Sequence, residues 1–213
     1  MRAVVMAGGE GTRLRPMTAS MPKPLLPVVN RPIMEHVLRL LRRHGFDETV
    51  VTVQFLAALV RNYFGDGEDL GMHLQYATEE TPLGTAGSVR NAHHLLADDT
   101  FVVISGDALT DIDLSALVKA HRERDALVTV CLKRVSNPLE FGITIVDEES
   151  RVQRFLEKPT WGQVFSDTAN TGIYVMEPEV LDLVAEGEQV DWSGDVFPRL
   201  MEQGAPILSL IHI

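Results

Sequence analysis

Ala3-Val4-Val5-Met6-Ala7-Gly8-Gly9-Glu10-Gly11-Thr12-Arg13 is the stretch that decides the fold. Ala3 to Ala7 form an unbroken apolar run, which fits a strand buried on both faces, as in a parallel sheet. The run breaks into glycines, which admit positive φ and let backbone N–H groups approach a ligand closely. Glycines alone fit a plain tight turn equally well. Arg13, Arg15 and Lys23 on the same loop favour a phosphate cradle, with oriented amides beside fixed cations. Two better-known phosphate patterns fail. The Gly-x-x-x-x-Gly-Lys-Ser/Thr loop is absent. From Gly9 the dinucleotide pattern reads Gly-Glu-Gly-Thr-Arg-Leu and lacks its third glycine, which disfavours a nicotinamide oxidoreductase.

Beyond this strand and loop, which runs from Gly8 to Pro32, helices and strands alternate. Pro32 opens a helical pattern through Ile33, Met34, Val37, Leu38, Leu40 and Leu41, with Gly45 as its stop. Thr49–Val53 reads as a strand, Phe55–Phe64 as a helix and Leu74–Tyr76 as a short strand. Thr85–Ala97 reads as a helix, Thr100–Ser105 as a strand, Leu114–Arg124 as a helix capped by Asp113, and Ala126–Val135 as a strand. Shorter β segments follow at Phe141–Val146, Val152–Glu157 and Thr171–Met176, with helices at Pro178–Glu186 and Val196–Gln203. This order predicts an α/β fold, a Rossmann-like three-layer α/β/α sandwich around a mixed, mainly parallel sheet.

Composition limits the function. With 213 residues, 45% hydrophobic and 23% charged, the chain suits one domain, residues 1–213. No apolar run approaches the ~20 residues needed to span a bilayer, and the N-terminus turns to glycine too early for a signal peptide. The single Cys131 excludes an internal disulfide and fits a cytoplasmic setting. The net charge of −11 argues against nucleic acid or anionic membrane as partner. Residues 1–44 nonetheless hold eight basic residues against Glu10 and Glu35, so the anion site is focused on one segment. A homo-oligomer stays open.

Gly8 to Thr18, followed by Pro22-Lys23-Pro24-Leu25, resembles the signature of the nucleotide-sugar pyrophosphorylases, the sugar-phosphate nucleotidyltransferases. Leu83-Gly84-Thr85-Ala86-Gly87, Gly106-Asp107, Phe141-Gly142-Ile143, Glu157-Lys158-Pro159 and Asn170-Thr171-Gly172 sit in that family's order. Within the family the chain is most similar to bacterial mannose-1-phosphate guanylyltransferases. The resemblance implies attack by a sugar phosphate oxygen on the α-phosphorus of an NTP, with pyrophosphate expelled. Such chemistry rests on positioning and electrostatics.

The resemblance also implies roles. Arg13 clamps the triphosphate, and Lys23 contacts phosphate near the reacting centre. Ala7, Gly8, Gly9, Gly11, Thr12, Gly84 and Thr85 contact the nucleotide. Lys158 holds the sugar phosphate, while Gly142, Glu157, Asn170 and Thr171 contact the sugar. Asp107, at the end of a buried strand, suits Mg²⁺ shared with phosphate oxygens; a cap on the next turn is the alternative.

Glu79 suits guanine. A carboxylate only accepts hydrogen bonds, and the guanine edge offers adjacent N1–H and N2–H donors. An exposed acidic turn is the alternative for Glu79. Together with the resemblance to the guanylyltransferases, which implies mannose 1-phosphate, this makes GTP and mannose 1-phosphate the expected substrates, although mannose and glucose differ in one hydroxyl and both stay open.

Residues 207–213 depart from the family pattern, which continues into an aromatic-rich strand and a second metal-binding aspartate. Asp195 reads as a cap on the next helix and not as that ligand. The expectation is a domain truncated before its last metal ligand, with low activity. A nucleotide- or sugar-nucleotide-binding regulatory module without turnover is the alternative, and a native terminal strand is the alternative for residues 207–213.

Overall fold

The computed structural model describes residues 1–96, 99–157 and 159–212. Strands are β1 (Arg2–Met6), β2 (Pro27–Val28), β3 (Arg31–Pro32), β4 (Glu48–Val53), β5 (His73–Thr78), β6 (Phe101–Ser105), β7 (Val128–Arg134), β8 (Gly142–Val146), β9 (Val152–Glu157), β10 (Thr168–Met176) and β11 (Ile207–His212). Helices are α1 (Ile33–Arg43), α2 (Ala57–Phe64), α3 (Gly84–Asn91), α4 (Leu114–Glu123) and α5 (Phe197–Glu202).

The main sheet runs β11-β7-β10-β6-β1-β4-β5, and β8 and β9 form a hairpin joined to β10. β1 pairs in parallel with both β4 and β6, β4 with β5, and β7 with β11. β10 runs antiparallel between β6 and β7, so the sheet is mixed and mainly parallel, as its sequence order predicts. The chain leaves β1 towards β4 and β5, then crosses back to place β6 on the other side of β1. That reversal opens a crevice at the carboxyl ends of β1 and β6, where α/β proteins bind ligands.

The apolar runs follow from burial on both faces. Ala3 and Val5 pack with α1, α2 and α4, through Leu38, Val60 and Leu117 among others. Val4 turns to the opposite layer, with Val89 of α3, Trp192 and Phe197. In that layer Phe197 stacks on Phe155 at 5.1 Å and meets the edge of Tyr174 at 5.2 Å; Trp192 stacks on it at 6.1 Å. Cys131 is packed core, and burial pushes its thiol up to about 11, against a hydrogen bond with Thr171.

Local signals place most ends well. Asp113 Oδ1 accepts from Ala116 N at 2.9 Å and caps α4. Gly45, at φ 80°, ends the turn after α1. Four expectations need correction. The Gly8–Pro32 loop contains the β2–β3 ribbon and single helical turns at Thr12–Leu14 and Lys23–Leu25. The helix expected over Thr85–Ala97 leaves α geometry at Ala92 and tightens into a turn at His93–Leu95; Ala97 lies outside the described residues. Pro178–Leu183 is 3₁₀, because Val184 turns extended to bury its side chain. Asp195 does not cap α5, whose N-cap is Val196. It sits in a π turn over Trp192–Val196, and its Oδ2 accepts from Asp191 N at 2.8 Å.

Truncating a side chain at the centre of this aromatic cluster removes contacts to three elements at once. Phe197→Ala is expected to destabilise the fold by about 3–5 kcal/mol, read as a fall in the urea midpoint.

Candidate functional site

β1 and β6 end side by side, with Met6 paired to Ser105. Gly106 N donates to Met6 O at 2.8 Å, which holds the two strand ends together. The glycine-rich loop leaves β1 over this edge. Gly11 adopts φ 62°, and a Cβ there would lie 3.0 Å from Thr18 Cγ2 and 3.1 Å from Lys23 Cβ. Thr18 Oγ1 donates to Gly11 O at 2.8 Å and folds the loop back on itself. Among the described residues, the backbone N–H groups of Gly8 to Thr12 donate to no protein oxygen. Such a row of unused donors suits an anion.

This loop and the β6 end enclose a cleft of about 210 Å³, lined by Ala7, Gly9, Gly11, Thr12, Arg13, Lys23, Ser105 and Asp107. Sequence-predicted residues far apart in the chain thus meet in one place. Arg13 makes no ion pair or side-chain hydrogen bond among the described residues, whereas Arg15 pairs with Glu10 at 3.1 Å. Lys23 Nζ donates to Asp107 Oδ2, and Ser105 Oγ donates to Asp107 Oδ1 at 2.6 Å. Burial opposes ionisation of Asp107, but the Lys23 ammonium and the Ser105 hydroxyl outweigh it, so the carboxyl stays below its usual range. The stabilising pair is therefore present above the pKa of an unfolded aspartate and is lost as pH falls through the depressed folded value.

A second cleft, of about 500 Å³, adjoins the first and shares Met6, Gly9, Arg13 and Ser105 with it. Its other walls include Gly8, Gln54, Glu79, Leu83, Gly84, Thr85, Ser88, Gln189 and Asp191. Glu79 is buried, which excludes the exposed-turn alternative. Ser88 Oγ donates to its Oε1 at 2.6 Å and Leu83 N to its Oε2 at 3.3 Å. Burial pushes the Glu79 carboxyl above its usual range, and these two hydrogen bonds oppose the rise. Thr85 lines the cleft, but its hydroxyl and N–H both donate to Asp191 Oδ1, each at 2.9 Å. Ser105, Gln54, Ser88, Gln189 and Asp191 carry no motif signal. They are found only because the fold brings their segments to one edge.

The remaining predicted residues that the structure describes lie in β8, β9 and β10. Gly142 and Glu157 are register partners across the β8–β9 hairpin; Lys158 lies outside the described residues. Asn170 and Thr171 sit in a bulge of β10. Asn170 Nδ2 donates to Tyr174 Oη at 2.8 Å, its Oδ1 accepts from Gly172 N at 3.0 Å, and Thr171 Oγ1 donates to Cys131 O at 2.8 Å. These side chains stitch the bulge, which carries Gly172 beside Ser105: a Cβ there would lie 3.8 Å from Ser105 Cβ.

For a divalent cation, the described residues contain no group of three or more His, Cys, Asp or Glu able to hold one. Asp107 alone fits Mg²⁺ of the kind that keeps waters and arrives with substrate phosphates.

A crevice at a topological switch point, with a basic glycine-rich cradle and an acidic strand-end residue, defines an α/β protein whose carboxyl sheet edge is arranged to hold an anion. The nucleotidyl transferase family model matches residues 2–212, and the chain belongs to that family. It is 42% identical to mannose-1-phosphate guanylyltransferase of Mycobacterium tuberculosis over 95% of this chain, and 40% identical to UTP–glucose-1-phosphate uridylyltransferase of Synechocystis sp. over 99%. The chain spans 56% and 58% of the length of these two relatives. The crystal structure of HddC from Yersinia pseudotuberculosis complexed with GMP-PN has the same fold, with a TM-score of 0.84 at 20% identity over 99% of this chain and 90% of that one. A Bacillus anthracis protein in complex with a sucrose matches at TM-score 0.90 and 23% identity, over 100% and 87%. Among the described residues no helix is long and apolar enough to cross a membrane.

The two clefts make different demands on glycine. A Cβ on Gly84 (φ 72°) would lie 2.5 Å from Val190 O, whereas one on Gly9 meets nothing within 4 Å. Gly84→Ala is expected to cost about 1–3 kcal/mol of stability in chemical denaturation, and Gly9→Ala less than about 1 kcal/mol.

Proposed function

We propose that the chain transfers a nucleotidyl group from an NTP, GTP by preference, to a hexose 1-phosphate, mannose 1-phosphate by preference. An oxygen of the sugar phosphate forms the new bond to the α-phosphorus, and the bond from that phosphorus to the bridging oxygen breaks, releasing pyrophosphate. The observation that carries the reading is the Lys23–Asp107 pair inside the cradle that Arg13 and the loop amides complete.

The residues divide the work. The unused N–H groups and Arg13 hold the β- and γ-phosphates and meet the negative charge that builds on departing pyrophosphate. Lys23 leaves Asp107 for phosphate oxygen and draws two anions together. Asp107, so released, would hold Mg²⁺, which when bound would neutralise phosphate charge. On this reading Gly142, Glu157, Lys158, Asn170 and Thr171 contact the sugar phosphate, and the β10 bulge sets Gly172 beside Ser105, the neighbour of Asp107.

Glu79 supports GTP over UTP. Each of its oxygens accepts one hydrogen bond from the protein and keeps a second lone pair for the adjacent N–H donors of guanine. The M. tuberculosis relative supports the same pairing of guanylyl transfer with mannose 1-phosphate, while the Synechocystis relative supports the uridylyl and glucose pairing. A non-catalytic nucleotide-binding module is the second reading; among the described residues the phosphate cleft offers one carboxylate, Asp107, for a metal ion.

Pyrophosphate release measured with Mg²⁺, each NTP and each hexose 1-phosphate separates these readings. GTP with mannose 1-phosphate is expected to be fastest. UTP with glucose 1-phosphate as the fastest pair overturns the specificity, and GTP binding without release from any pair favours the binding module. Lys23→Ala and Asp107→Asn are each expected to lower kcat/KM by about 10²–10³-fold. Glu79→Gln is expected to reduce the preference for GTP over UTP by about tenfold, read from the two kcat/KM values.

A further inference from the structure

We propose that Asp191 is a positioning residue for the base-side wall of the nucleotide cleft, latching Gly84–Gly87 to a segment 106 residues further along the chain. The inference rests on the larger cleft being the nucleotide site and adds a residue outside the recognised motifs. Thr85 N and Thr85 Oγ1 both donate to Asp191 Oδ1 at 2.9 Å, and Thr85 Oγ1 in turn accepts from Trp192 N at 3.0 Å. Neighbouring backbone groups extend the contact: Val190 N donates to Leu83 O at 2.9 Å, and Ala86 N and Gly87 N donate to Val190 O at 2.9 and 3.1 Å. Asp195 Oδ2 accepts from Asp191 N at 2.8 Å and fixes the carboxylate-bearing residue from behind. Trp192, fully buried against Phe197, anchors the segment in the core.

The glycines of the motif share this purpose. A side chain on Gly84 would meet Val190 O, and one on Gly87 would meet Glu188 O. Both glycines therefore admit the 188–190 backbone, and Thr85 ties it down. Leu83, Glu79 and Gln189 line the cleft beside the latch, whereas Lys23 and Asp107 line the adjoining phosphate cleft. The Leu83 N–H that helps orient Glu79 belongs to the same latched turn. Loosening the latch shifts the groups facing the base and leaves the Gly9–Lys23 cradle in place.

The test compares a ligand that needs the base wall with one that does not. Isothermal titration in Mg²⁺ buffer measures the Kd of GTP, UTP and inorganic tripolyphosphate for wild type, Asp191→Ala, Asp191→Asn and Thr85→Val. Asp191→Ala and Thr85→Val are expected to weaken whichever nucleotide the wild type binds by about tenfold, the size of one or two lost hydrogen bonds to a charged acceptor. Tripolyphosphate affinity is expected to stay within about twofold. Asp191→Asn keeps an acceptor oxygen and is expected to recover affinity to within about threefold of wild type. If Asp191→Ala does not fold, Thr85→Val carries the comparison alone. Equal weakening of nucleotide and tripolyphosphate, or unchanged nucleotide affinity in both variants, overturns the latch. A wild-type chain that binds tripolyphosphate but no nucleotide overturns the nucleotide reading of the cleft, and the latch with it.

Discussion

One ion pair sets the rest of the structure in relation: Lys23 of the glycine-rich loop against Asp107 at the end of β6. Each partner is partly buried, and an uncompensated charge at either position costs more than the pair returns. The loop is therefore held over the switch point between β1 and β6. Both charges suit the same ligand. A polyphosphate gives Lys23 a stronger partner, and the cation that accompanies polyphosphate gives Asp107 one. The pair stabilises the cradle and keeps both groups in place for exchange.

The two clefts differ in their support. The phosphate cradle stands on local loop geometry at the carboxyl edge of two parallel strands. The adjoining wall stands on tertiary docking, because Val190 and Asp191 reach the Gly84–Gly87 turn from the far end of the chain. Behind that wall the aromatic cluster of Trp192, Phe197, Tyr174 and Phe155 ties the 190–197 segment to β9 and β10, on which the resemblance places sugar contacts. The β10 bulge completes the circuit by setting Gly172 next to Ser105, the hydroxyl that steadies Asp107.

Much of this was legible from local pattern. The two-faced burial of β1, the glycine break after it, and the Asp at the end of β6 are short-range signals, and the residues that carry them meet in the cradle. The rest depended on where segments dock. Thr85, Asn170 and Thr171, which the resemblance marks as ligand contacts, also make hydrogen bonds within the protein, because donors and acceptors at packed turns need partners. Asp191, Gln189 and Ser105 sit in unremarkable sequence and gain meaning only from neighbours distant in the chain. Residues 207–212 pair in parallel with β7 and close one edge of the sheet, as their β-rich composition suggests.

The most direct test of the central claim is a crystal structure of the chain with GTP and Mg²⁺. The account predicts that Lys23 Nζ leaves Asp107 for a phosphate oxygen, while the Asp107 carboxylate turns to the cation. A nucleotide bound in the crevice with the Lys23–Asp107 pair intact, and no cation at Asp107, would contradict it.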